Sequence, residues 1–151
     1  MSKPVTAPTD AANPAINGVN APGGPPQAPA ALGWDRVVTQ IRLMGRMSGN
    51  WDGYGADAPK PELLDAAIAL AGSFERRGDV IAPYVTPTRD GGVMFLWEND
   101  RHGVEIVVEE VDRLAFLYLD RATSEAIEFE GSQTQVLTDA RVLDNIRRSS
   151  S

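Results

Sequence analysis

The apolar residues of this chain change their spacing near Asp79, from every three or four positions to every two, and that single change points to an α+β fold. Upstream, Trp34, Val37, Val38, Ile41, Met44 and Met47 share one helical face, opposite Asp35, Arg36, Arg42 and Arg46. The spacing predicts a first helix that Ser48-Gly49 ends. Pro61 then falls where proline suits a helix, in the first turn, whose N–H groups have no partner inside the helix. Glu62 complements the positive end of the dipole. Leu63, Leu64, Ala67, Ile68, Leu70, Ala71 and Phe74 carry this second helix to Arg76-Arg77-Gly78, a basic last turn with a glycine stop.

Beyond Asp79 the alternation predicts five strands in an antiparallel meander. The first covers 84–88, and Pro87 makes it an edge strand, because proline donates nothing to a ladder. Asp90-Gly91-Gly92 signals a hairpin into a second strand at 93–98, and residues 99–103 turn the chain again. In the third, at 104–111, Val104, Ile106 and Val108 alternate with Glu105, Val107 and Glu109, which reads as a half-exposed strand. The fourth, 114–119, is apolar on both faces, as suits a central or doubly covered strand. In the fifth, 124–130, Ile127 and Phe129 alternate with Glu128 and Glu130. Val136, Leu137, Ala140, Leu143 and Ile146 then predict one C-terminal helix over 135–148. Two helices, a meander and a final helix give one α+β layer, with the helices on one sheet face and the other face in water at least in part.

Residues 1–33 have no such pattern. They hold seven of the eleven prolines, and their Lys3 and Asp10 cancel. With no apolar face to bury, nothing offsets the entropy of ordering, so a disordered tail is expected before a domain spanning 34–151. The net charge of −7 lies elsewhere: residues 98–130 hold ten acidic residues against Arg101, Arg113 and Arg121. That excess gains a geometry on the meander, where Glu105, Glu109, Glu128 and Glu130 project from the solvent face. An acidic sheet is a poor surface for phosphate backbones, so direct nucleic-acid binding is not expected. The chain has no cysteine, no export signal and no apolar run near the roughly 20 residues that span a bilayer. A cytoplasmic protein outside the membrane is the expectation.

The most distinctive string is Asn50-Trp51-Asp52-Gly53-Tyr54-Gly55-Ala56-Asp57, between the two first helices. Its glycines permit positive φ, and Trp51 and Tyr54 each join a large ring to one polar atom. Trp51, Asp52, Tyr54 and Asp57 are candidate ligand-binding residues, with Asp52 as acceptor or general base. The alternative is a structural plug in which Asp52 caps backbone N–H groups. The run NWDGYGA, followed by the helix PELLDAAIALA and the stretch PYVTPTRDGGVMFLWE, resembles a recurring pattern in small uncharacterised bacterial proteins. There a Trp-Asp-Gly-Tyr-Gly loop precedes a helix and a Pro-Thr-x-Asp-Gly-Gly hairpin. The resemblance covers about 50–110 and implies a shared fold, without transferring a mechanism.

No catalytic frame is visible. His102, the one histidine, is expected in a surface turn, with no nucleophile elbow to serve. The glycines form no phosphate loop, and neither a metal nor a cofactor is expected. These features favour a non-enzymatic interaction protein, of antitoxin or immunity, accessory-subunit or phage-inhibitor type. Glu105, Glu109, Glu128 and Glu130 would meet the basic surface of another protein. The competing expectation is a small hydrolase or ligand-binding domain on the Trp51-Asp52-Gly53-Tyr54 loop, with His102 brought near by folding. Self-association through Leu117, Leu119 or the Pro87 edge is the third.

Overall fold

A computed structural model describes residues 33–150. The expected tail, apart from Gly33, lies outside the described residues. Helix α1 spans Trp34–Met44 and α2 spans Pro61–Arg77. Strands β1 (Tyr84–Pro87), β2 (Val93–Glu98), β3 (His102–Glu110), β4 (Arg113–Asp120) and β5 (Glu125–Gly131) follow, and then helices α3 (Gln133–Thr138) and α4 (Ala140–Ser149). The strands form one antiparallel sheet in the order β1-β2-β3-β4-β5, the expected meander, with Pro87 on an edge strand. Among the described residues no helix is long and apolar enough to cross a membrane.

All four helices of the described residues pack on one face of the sheet: α1 on β1, α2 and α4 on β2 and β3, and α3 on β4 and β5. The strand period explains this. Val93, Phe95 and Trp97, then Val104, Ile106 and Val108, then Leu114, Phe116 and Tyr118 fall in register on the same face, and all are buried. A chain of aromatic contacts ties the helices to that face. Trp34 of α1 stacks on Phe74 of α2 at 5.6 Å, and Phe74 meets Trp97 of β2 edge-on at 5.7 Å. Both indoles are satisfied by backbone: Trp34 Nε1 donates to Val80 O at 2.7 Å, and Trp97 Nε1 to Ile81 O at 2.7 Å.

Three elements differ from the sequence expectation. Helix α1 stops at Met44, before Ser48-Gly49, because Gly45 closes it and successive i→i−3 bonds, Arg46 N–H to Leu43 O and Met47 N–H to Met44 O, tighten the chain into a turn. The expected C-terminal helix is two. Asp139 breaks it by taking extended angles (φ −82°, ψ 118°) so that its carboxylate can accept from Arg141 N–H and start α4. Ser132 and Gln135 likewise start α3 with a reciprocal capping box. Finally, β4 is apolar on both sides but covered on one. Ala115, Leu117 and Leu119 stand half-exposed on the face away from the helices.

Candidate functional site

The uncovered sheet face is built by the other half of each strand's alternation. Reading across neighbouring strands, one row is Leu96, Glu105, Leu117 and Glu128, and the next is Met94, Val107, Ala115 and Glu130. Leu119 continues the apolar stripe along β4, and Tyr84, opposite Leu96, extends it to the β1 edge at 61% exposed. Small Ala115 between larger neighbours leaves a depression of about 430 Å³, bounded by Glu105, Val107, Leu117, Glu128 and Glu130. A larger recess, about 510 Å³, opens at the β1 edge between Ile81, Tyr84, Leu96 and Ser149. Two of these residues, Tyr84 and Leu96, belong to the same face.

The acidic residues on this face are not equivalent. Each arginine of the segment is engaged: Arg113 with Glu130, Arg121 with Glu98 at 2.9 Å, and Arg101 with Asp120 at 3.1 Å. Glu105 and Glu128 have no ion pair or side-chain hydrogen bond among the described residues. Glu105 is half-buried on β3, the middle strand of five. Glu109 lies apart from them. A register shift between Val108 and Glu110 sets Glu110 opposite Arg113, and Glu109 lines a separate recess with Lys60 and Glu62 at the end of the sheet.

The structure brings Trp51, Asp52, Tyr54 and Asp57 together in one loop fastened to the β1–β2 hairpin. Asp52 Oδ1 accepts from the N–H groups of Tyr54 (2.8 Å) and Ala56 (3.2 Å), and Oδ2 from Arg89 Nε (3.0 Å). The Tyr54 N–H, then the Ala56 N–H and the Arg89 guanidinium, hold the Asp52 carboxyl below its ordinary range. Arg89 also donates to Tyr54 O, Trp51 Nε1 to Asp57 O at 2.8 Å, and Asp57 N–H to Arg89 O at 2.8 Å. Both carboxylate oxygens of Asp52 are thus used in shaping the loop, which suits a clamp better than a general base. The aromatics do not form a buried plug: Tyr54 is 83% exposed and Trp51 is half-buried.

His102 does not approach this loop. It opens β3 at the far end of the β2–β3 hairpin, so the length of β2, about 17 Å at the usual rise per residue, separates it from the Arg89 end. Nor does it sit in a surface turn. It is half-buried, its ring stacks on Tyr118 with centroids 6.0 Å apart, and Nε2 lies 3.8 Å from Asp120 Oδ2. Asp120, a buried acid, accepts from Arg101 Nε (3.1 Å) and Nη2 (3.2 Å) and from Ala122 N–H (2.9 Å). Arg101 chiefly, helped by the Ala122 N–H and opposed by desolvation, draws its pKa down to about 2. This cluster was legible in one respect: Leu114, Phe116, Tyr118 and Asp120 keep one parity, which carries the acid onto the helix-covered face. Among the described residues no three metal-ligating side chains converge.

Comparison with protein-family models, with curated proteins and with solved structures gives no match to this chain.

Proposed function

We infer that this chain is a protein-interaction module that docks another protein on the uncovered face of its sheet. One observation carries this reading: Met94, Leu96, Val107, Ala115, Leu117 and Leu119 form a connected apolar stripe that no described helix covers, although four helices cover the opposite face. Contiguous apolar surface of this kind, rimmed by charge, marks interaction sites on proteins. The acidic rim supplies the second half of the argument, since Glu105 and Glu128 favour a partner with a basic surface. An antitoxin or immunity partner, an accessory subunit and a phage-type inhibitor share this mode of action. The absence of cysteine from the sequence suits a reducing, cytoplasmic setting for it.

The test is site-specific photocrosslinking in the cells that make the chain, with a benzophenone side chain at Leu117 or, as control, at Ala69 on the exposed side of α2. Crosslinking to one discrete protein from position 117 and not from 69 is expected. Equal adducts from the two positions would remove the sheet face from the account.

A further inference from the structure

Docking on this face leaves two kinds of occupant, a second copy of the chain or a different protein, and the row Leu96–Glu105–Leu117–Glu128 discriminates between them. Because Glu105 lies on the middle strand and inside the apolar stripe, a partner that covers the stripe must also cover Glu105. A carboxylate removed from water without a cation is heavily penalised, and pairing with a well-placed cation offsets that penalty. Among the described residues no cation pairs with Glu105, and the arginines of this segment, Arg101, Arg113 and Arg121, are held by Asp120, Glu130 and Glu98.

We propose, building on the docking function inferred above, that the occupant is a different protein, which places one arginine or lysine side chain in the depression over Ala115. The aliphatic stem lies on Ala115 and Leu117, and the charged head sits between Glu105 and Glu128. Strands two apart in a sheet are about 10 Å from each other, so a single cationic head standing over Leu117 lies within reach of both acids. Alanine at 115 matters for shape: a larger residue there would fill the space for the stem. A second copy fails on charge. Two such faces related by a two-fold axis would bury both copies' Glu105 and Glu128 together, like against like. The same carboxylates therefore select a basic partner and oppose self-association through the stripe.

A charge-reversed copy of the chain is a usable probe, because E105R/E128R presents cations on a face of the same apolar shape. The experiment is analytical ultracentrifugation of the full chain, its E105R/E128R variant, their equimolar mixture and an E105L/E128L variant, with circular dichroism to verify folding. Wild type and E105R/E128R are each expected to sediment as monomers, and their mixture as a heterodimer. Its dissociation constant is expected to rise about tenfold or more between about 0.1 M and 1 M salt, as the Debye length falls from about 10 Å to about 3 Å. E105L/E128L, relieved of the repulsion, is expected to self-associate. A wild-type dimer that Leu117→Lys disrupts would overturn the proposal and leave the docking function standing. A monomeric mixture beside a self-associating E105L/E128L would overturn it in the same way, since the face would then adhere without selecting a cation. Monomers throughout would overturn the proposal, and the docking function would then stand or fall on crosslinking from position 117.

Discussion

Glu105 and Glu128 face the same solvent-side row of the sheet with Leu117 between them, and neither has a cation among the described residues. No ion pair among the described residues depends on them, so their charge should matter little to stability. The double variant E105Q/E128Q is expected to unfold within about 0.5 kcal/mol of wild type in urea, since each change keeps the side chain's shape on the solvent face and breaks no ion pair. A loss of several kcal/mol would place these acids in the folding energetics instead.

The aromatic contact chain is the opposite case. Phe74 is fully buried between Trp34 and Trp97, and Phe74→Ala removes the ring that joins both helices to the sheet. A cost of about 3–5 kcal/mol is expected. Against a total of about 5–15 kcal/mol for a protein of this size, a cooperative denaturant transition with a much lower midpoint should result.

Acid should weaken the fold through Asp120. Its pKa falls from an unfolded-like 3.8 to about 2 in the fold, so the native state favours the charged form. The corresponding stability is present above the unfolded value and is lost as pH falls through the range from about 4 to about 2. Asp52, Asp79 and Asp139 shift in the same direction, through the Tyr54 N–H, Arg147 and Arg141 respectively. D120N is expected to lower the melting temperature at about pH 7 and to flatten the acid limb of the stability curve. An unchanged acid limb would show that Asp120 is not the titrating group. Arg101 is more than half exposed, so added salt should shrink the effect.

Two glycines separate conformational strain from steric conflict. Gly53, at φ +78°, has open space where a Cβ would stand, so Gly53→Ala should cost about 1–2 kcal/mol from the left-handed backbone alone. At Gly92 a Cβ would lie 2.5 Å from Val108 O, against the neighbouring strand. Gly92→Ala should therefore cost more than Gly53→Ala, in thermal melts of the two variants side by side, and the reverse order would contradict the packing of the β1–β2 hairpin on β3. Tyr54→Ala, by contrast, removes an exposed ring and should leave stability within about 0.5 kcal/mol.

The periods of three or four and of two were enough to give the first two helices, the five strands and the meander order, because each follows from burying one face. What the sequence hid is what depends on contacts between elements. The apolar run of β4 looks the same whether its second face is covered by helices or waits for a partner, so Leu117 and Leu119 could not be assigned. Asp139 reads as one more polar residue in a helical pattern until its extended backbone and its bond to Arg141 show a cap. Glu109 follows the alternation of β3 on paper, and only the register shift separates it from Glu105. His102 and Asp120 are eighteen residues apart, and the β3–β4 register alone makes them opposite partners. The loop carried the most distinctive sequence, and the structure shows its Asp52 serving Tyr54, Ala56 and Arg89.

The docking face is tested most directly by the affinity of the protein crosslinked from position 117, once purified, for two single-lysine variants. Leu117→Lys puts a charge in the apolar stripe, and Ala69→Lys puts the same charge on the exposed side of α2. Isothermal titration calorimetry is expected to show a loss of about tenfold or more, about 1.4 kcal/mol, for Leu117→Lys and less than about twofold for Ala69→Lys. Equal losses, or a loss confined to Ala69→Lys, would contradict a partner seated on the uncovered sheet.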